Sequence, residues 1–164
     1  MFGQADYFWI FGLLLAGNVV VISAIDLRHL IIPNVLNGSL AALGFAFQIT
    51  SQSSIPLTTI FGAIVLFSAF YLVRAAYLRS QGVVGLGLGD VKMAGASAVW
   101  LNPFNLPVFV FIACTAALLS LPLLKQFSEQ YQQSRRLPFG PFLGLGLMVS
   151  WYLENTVQID LAGY

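Results

Sequence analysis

Charged side chains are scarce in this sequence. Lysine, arginine, aspartate and glutamate make up 8% of its 164 residues, where a soluble domain carries about 25%. So little charge cannot cover a folded chain for water, and a mean hydropathy of +0.86 points to the bilayer as the solvent. Cysteine is almost missing. The single Cys114 excludes an internal disulfide and a cysteine-rich zinc site. Inside an apolar run it reads as a small buried hydrophobe. With one histidine, His29, there is no cluster of His, Cys and carboxylates at ligand spacing, so no metal and no cofactor is implied. Runs of Lys and Arg are absent, and a formal net charge of +1 gives no field for nucleic acid. No Lys or Arg precedes the first apolar stretch, while Asp6 does. The start therefore reads as a retained membrane helix and not as a cleavable signal.

What is present is a succession of apolar runs. A spanning helix needs about 20 mostly apolar residues. Such runs cover Tyr7 to Ile25, Leu30 to Ile49, about Leu57 to Tyr77, Val83 to Leu101, Leu106 to Leu124, and the shorter Leu137 to Leu153. The breaks are "TSQSSIP", "NPFN" and the polar "KQFSEQYQQSRR", which reads as a loop. The length allows one compact domain, residues 1–164. The fold class expected is an all-α polytopic membrane protein, a bundle of about six transmembrane helices.

The fourth run contains Asp90 and Lys92, and charge sorting decides whether it crosses. If all six runs cross, Arg28, Arg74, Arg79, Lys92, Lys125, Arg135 and Arg136 fall on one side. Lys and Arg concentrate on the cytoplasmic side, so both termini are expected outside, with Asp6, Glu154 and Asp160. Asp26 then ends helix 1 at the cytoplasmic face, and Asp90 begins helix 4 at that same face.

Ionisable residues at membrane depth are costly and point to function. The bland alternatives are an interfacial Asp26 paired with Arg28, and Asp90 as a helix cap. A cap does not call for glycines at 85, 87 and 89 before it. Those glycines permit positive φ and close approach, and irregular backbone at that depth is tolerated where it is buried or lines a wet cavity. A phosphate-cradling loop would need a strand before it. Two close carboxyls cannot both ionise easily. One can take a proton from water while the other donates to a carbonyl oxygen, which is hydrolysis without a covalent intermediate.

Three segments carry a family resemblance: "DLRHLIIPN" (Asp26 to Asn34), "GLGDVKM" (Gly87 to Met93) and "LPFGPFLGLG" (Leu137 to Gly146). Together, in this order, they resemble the type IV prepilin peptidases. The resemblance implies an intramembrane aspartic endopeptidase in the cytoplasmic membrane. It would remove the short basic leader of prepilins or pilin-like proteins after a glycine, at the cytoplasmic face. It implies Asp26 and Asp90 as the catalytic pair, Gly87 and Gly89 as shaping the second site, and Lys92, Pro33, Asn34, Pro138, Gly140 and Pro141 as matching motif positions. Lys92 could steady Asp90 or mark the membrane boundary. Pro33 fits a first helical turn, Pro138 to Phe142 a rigid start to a helix, and His29 an interfacial polar group. Partners implied are the pilin-like substrate and the lipid bilayer, with Glu129 as one acid that could meet the leader.

The sequence lacks the paired cysteines that accompany methyltransferase activity in many members, so none is expected; it is similar to short, peptidase-only members, some serving tight-adherence pili. Presenilin-like proteases pair Gly-x-Gly-Asp with a Tyr-Asp that is missing here. The rival readings are a small transporter or ion pathway using Asp26 and Asp90 as proton or cation sites, and a structural subunit in which both merely cap and pair.

Overall fold

The structure, a computed structural model, describes residues 4–52, 57–127 and 137–157. These residues form α1 (Gln4–His29), α2 (Asn34–Gln52), α3 (Leu57–Gln81), α4 (Leu88–Ala98), a 3-10 turn (Pro103–Asn105), α5 (Leu106–Phe127) and α6 (Gly140–Val157). Among them there is no strand. Three segments, Tyr7–His29, Leu57–Gln81 and Pro103–Pro122, are long and apolar enough to cross a bilayer. The chain is an all-α, multi-pass membrane protein.

The helix ends follow local chemistry more closely than hydropathy does. The second helix starts at Asn34, four residues later than the apolar run suggests. Pro33 bars the preceding residue from helical backbone. It stands just before the first turn and not within it, where its carbonyl accepts from Leu36 and Asn37. The fourth helix is shorter than expected at both ends, with 11 residues, because the glycine stretch stays irregular up to Gly87. The "NPFN" break winds into the 3-10 turn, with the Asn102 side chain accepting from Phe104 N–H. The expected polar loop begins later than read: residues 125–127 still belong to α5. Glu129, Arg135, Arg136 and Asp160 lie outside the described residues, as do the side chains of Asp6 and Lys125. Cys114 corrects the sequence reading: it is exposed, on the outer face of α5.

The short α4 is the packing centre. It lies against α2, α3 and α6, while α1 packs on α2 and α6, and α5 on α6. Val91, Met93, Ala94, Trp100 and Leu101 are fully buried. The outer helices instead expose their apolar side chains, among them Leu13 (73%), Leu57 (83%) and Phe111 (70%), which suits lipid and not water. At 1.5 Å per residue α4 is about 16 Å long, yet the segment still runs from one end of the bundle to the other. Its start meets the α1–α2 connection at Ile32. Its continuation reaches the far end of α6, where Glu154 accepts from Asn102 N–H at 2.9 Å and from Asn105 Nδ2 at 2.9 Å. Two stacked pairs, Phe8 on Trp151 and Phe47 on Trp100, meet edge to face through the tryptophans and fill the core near that end.

Candidate active site

The opposite end of the bundle gathers the three sequence motifs. Helix α1 closes with Leu30, whose φ of 54° is left-handed. Its N–H donates to the Asp26 carbonyl at 2.9 Å, an αL termination usually given to glycine. For a leucine that conformation costs about 1–2 kcal/mol. The chain then extends through Ile31 and Ile32 to Pro33.

The Asp26 side chain is buried, at 4% exposure. Its Oδ2 accepts from the Gly140 N–H at 2.8 Å. Gly140 is the first residue of α6, so this N–H is one of the donors a helix start leaves unsatisfied. Phe139, just before it, has no polar side chain to cap with. The cap comes from α1, and the carboxyl meets the positive end of the α6 dipole. Pro138 is buried, and Pro141 sits in the first turn, where its missing N–H is not needed. The third motif thus becomes intelligible as the seat of Asp26.

Asp90 is the third residue of α4 and half-buried. Its Oδ2 accepts from the Gly87 N–H at 3.2 Å. A carboxyl at this position reaching back to the N-cap N–H is one half of a capping box, so Asp90 does serve the helix start, but from its third residue and not as the N-cap expected, which is Gly87. The Gly87 backbone is extended at φ −66°, ψ 145°. Among the described residues, positive φ occurs at Leu30 and Gly82, so the glycines before Asp90 serve close approach and not left-handed turns. A Cβ on Gly87 would stand 2.8 Å from Asp90 Oδ2, and one on Gly89 3.0 Å from Ile32 Cβ.

The first two motifs are bonded together. Lys92 Nζ donates to Asn34 Oδ1 at 2.8 Å, turning to the α2 start and not to Asp90. Asn37 Nδ2 donates to the Gly89 carbonyl at 3.2 Å. These ties hold the start of α4 against the connection that follows Asp26.

Asp26 and Asp90 line one cavity of about 550 Å³, whose walls include Leu30, Tyr77, Gly87 and Phe139. Each carboxyl gives Oδ2 to a backbone amide. Among the described residues no protein donor holds either Oδ1. The arrangement can bind a small polar molecule between two acids, at the edge of an otherwise apolar bundle. Pro33, Asn34 and Lys92 brace the site from behind and do not line the cavity. Sequence reasoning missed Leu30, Asn37 and Tyr77. Asn37 could have been found one turn after Asn34 on the same helix face, and Tyr77 one turn after Arg74.

A model of the type IV leader peptidase family matches residues 13–121, more than half of the chain. The chain belongs to the type IV leader peptidase family. The matched stretch holds both aspartates; the Gly140 seat lies beyond it. The "Type 4 prepilin-like proteins leader peptide-processing enzyme" of Escherichia coli O78:H11 (strain H10407 / ETEC) is 31% identical over 146 residues, covering 87% of this chain and 51% of that protein. The "Prepilin leader peptidase/N-methyltransferase" of Neisseria gonorrhoeae is 28% identical over 170 residues, 94% of this chain and 57% of that protein. The same name belongs to a protein of Pectobacterium carotovorum, 27% identical over 151 residues, 88% and 54%. This member of the leader peptidase family therefore spans about half the length of the curated relatives it matches. No solved structure matches the chain.

Proposed function

We propose that the chain is an intramembrane aspartic endopeptidase that cleaves the leader from prepilin-like membrane proteins, with Asp26 and Asp90 as the catalytic pair. The observation that carries this reading is the shared cavity: two carboxyls, 64 positions apart in a family of leader peptidases, lining one chamber and each anchored through Oδ2 to a backbone amide.

The chemistry follows from two nearby acids. A water between them loses a proton to the ionised carboxyl as its oxygen attacks the scissile carbonyl carbon. The protonated carboxyl gives its proton to the carbonyl oxygen. Collapse of the tetrahedral intermediate breaks the C–N bond, and a proton passes to the leaving amine. The two carboxyls exchange roles through the cycle, so the acid and base assignments belong to the pair. The proposed cut follows a glycine at the cytoplasmic face of the cell membrane, and the substrate arrives as an apolar helix with a basic leader. The reading covers the peptidase half of the relatives' names. A transporter site would lie near the bilayer midplane, at broken helices, whereas both acids here sit at helix ends.

The test is cleavage by purified protein of a prepilin whose leader ends in Gly. Asp26→Asn and Asp90→Asn are each expected to abolish product while still inserting and folding. Full activity in either variant removes that residue from the mechanism. Omitting a methyl donor is expected to leave the yield of shortened pilin unchanged.

A further inference from the structure

The peptide joining Leu86 to Gly87 is held at both ends. Its N–H donates to Asp90 Oδ2 at 3.2 Å. Its carbonyl accepts from Arg74 Nη1. Arg74 belongs to α3, inside the span Leu57–Gln81. From Tyr71 to Gln81 every α3 residue is exposed except Arg74, which is half-buried. An arginine that only marked the membrane boundary would extend its head outward to water. This one turns inward to the cavity wall, and a guanidinium in an apolar span calls for a functional reason.

We propose that Arg74 is a positioning residue for Asp90, acting through the Leu86–Gly87 peptide. The inference rests on the reading of Asp90 as half of the hydrolytic pair. Two physical effects support it. First, the Leu86–Gly87 peptide turns about the φ of a glycine, so its plane is easier to rotate than between two side-chain-bearing residues. Half a turn would aim the Leu86 carbonyl at the Asp90 carboxyl, oxygen against oxygen. A guanidinium on the carbonyl side fixes the plane with its N–H toward Asp90. Second, an amide that accepts from a cation is polarised, and its N–H becomes a stronger donor. Arg74 thus sets both the direction and the strength of the bond that holds Asp90, without touching it.

The experiment uses the full chain in detergent micelles, as Arg74→Met and Arg74→Lys. With a prepilin substrate, Arg74→Met is expected to lower kcat by about tenfold or more while KM stays near wild type. Arg74→Lys keeps a cation and is expected to recover most of the loss. A second readout does not depend on peptidase activity: reaction of carboxyls with an apolar carbodiimide, located by peptide mass mapping. In Arg74→Met, Asp90 is expected to label several-fold faster than in wild type, with Asp26 unchanged. Equal Asp90 labelling in the two proteins, or a loss of turnover carried by KM alone, overturns the inference. If wild-type protein cleaves no prepilin, the peptidase reading fails, and the labelling comparison still decides whether Arg74 governs Asp90.

Discussion

Gly140 has room for a hydrogen and for nothing larger. A Cβ there would stand 2.8 Å from Asp26 Oδ2 and 3.2 Å from its Cγ. Gly140→Ala is expected to push the carboxyl off the α6 amide. Leaving a buried carboxyl and a helix-start amide without each other costs about 1–3 kcal/mol, so the thermal midpoint should drop by several degrees, and cleavage should fall further than stability. Gly17 has nothing within 4 Å of an added Cβ, and Gly17→Ala is the control, neutral or stabilising by up to about 1 kcal/mol. Thermal unfolding in detergent beside a cleavage assay separates the two. At this scale the sequence showed the acids, because a carboxylate in oil stands out, but not what holds them. The amide partners Gly87 and Gly140 are backbone groups, and backbone groups have no letter. Arg74 was visible only as one more cation at a helix end.

Helix α4 shows where reading by hydropathy stops. The apolar run extends from Val83 to Leu101, yet the helix covers Leu88–Ala98. Glycines count as mildly apolar, so the run looks continuous, while their freedom delays the helix start to Leu88. At the other end Val99, Trp100 and Leu101 close by bonds to carbonyls three residues back, and Trp100 swings into the core. Its Nε1 donates to the Leu40 carbonyl at 2.9 Å, and its ring packs against Gly44, where a Cβ would come within 2.9 Å. Trp100→Ala is expected to cost about 3–5 kcal/mol, read as a lower thermal midpoint, with any protein that folds still carrying both aspartates. The long outer helices were legible within a few residues, because lipid demands unbroken apolar surface. Their register against α4 was not, since Asn37, Tyr77 and Ile32 meet the glycine segment only in three dimensions.

For the whole molecule the sorting of charge remains the guide to orientation. Arg79 closes α3 at the end where Tyr77 lines the cavity, and Asn155 lies beside Glu154 at the other end. In a Cys114→Ser background, cysteine at 79 is expected to react with an impermeant thiol reagent only after the cells are opened. Cysteine at 155 should react in intact cells. The inverse pattern, 79 reactive in intact cells and 155 only after opening, would reverse the proposed membrane face of the cavity. Because Cys114 faces outward from α5, its replacement by Ser should leave cleavage intact.

The bond between Asp26 and Gly140 joins positions 114 residues apart. A nascent chain threading into the lipid has delivered both aspartates well before α6 arrives. Until then one of the two acids has no amide to lean on, and the chamber lacks the wall that Phe139 supplies. On the proposed chemistry a half-made polypeptide is inert, and its cutting power appears only once α6 has joined the bundle.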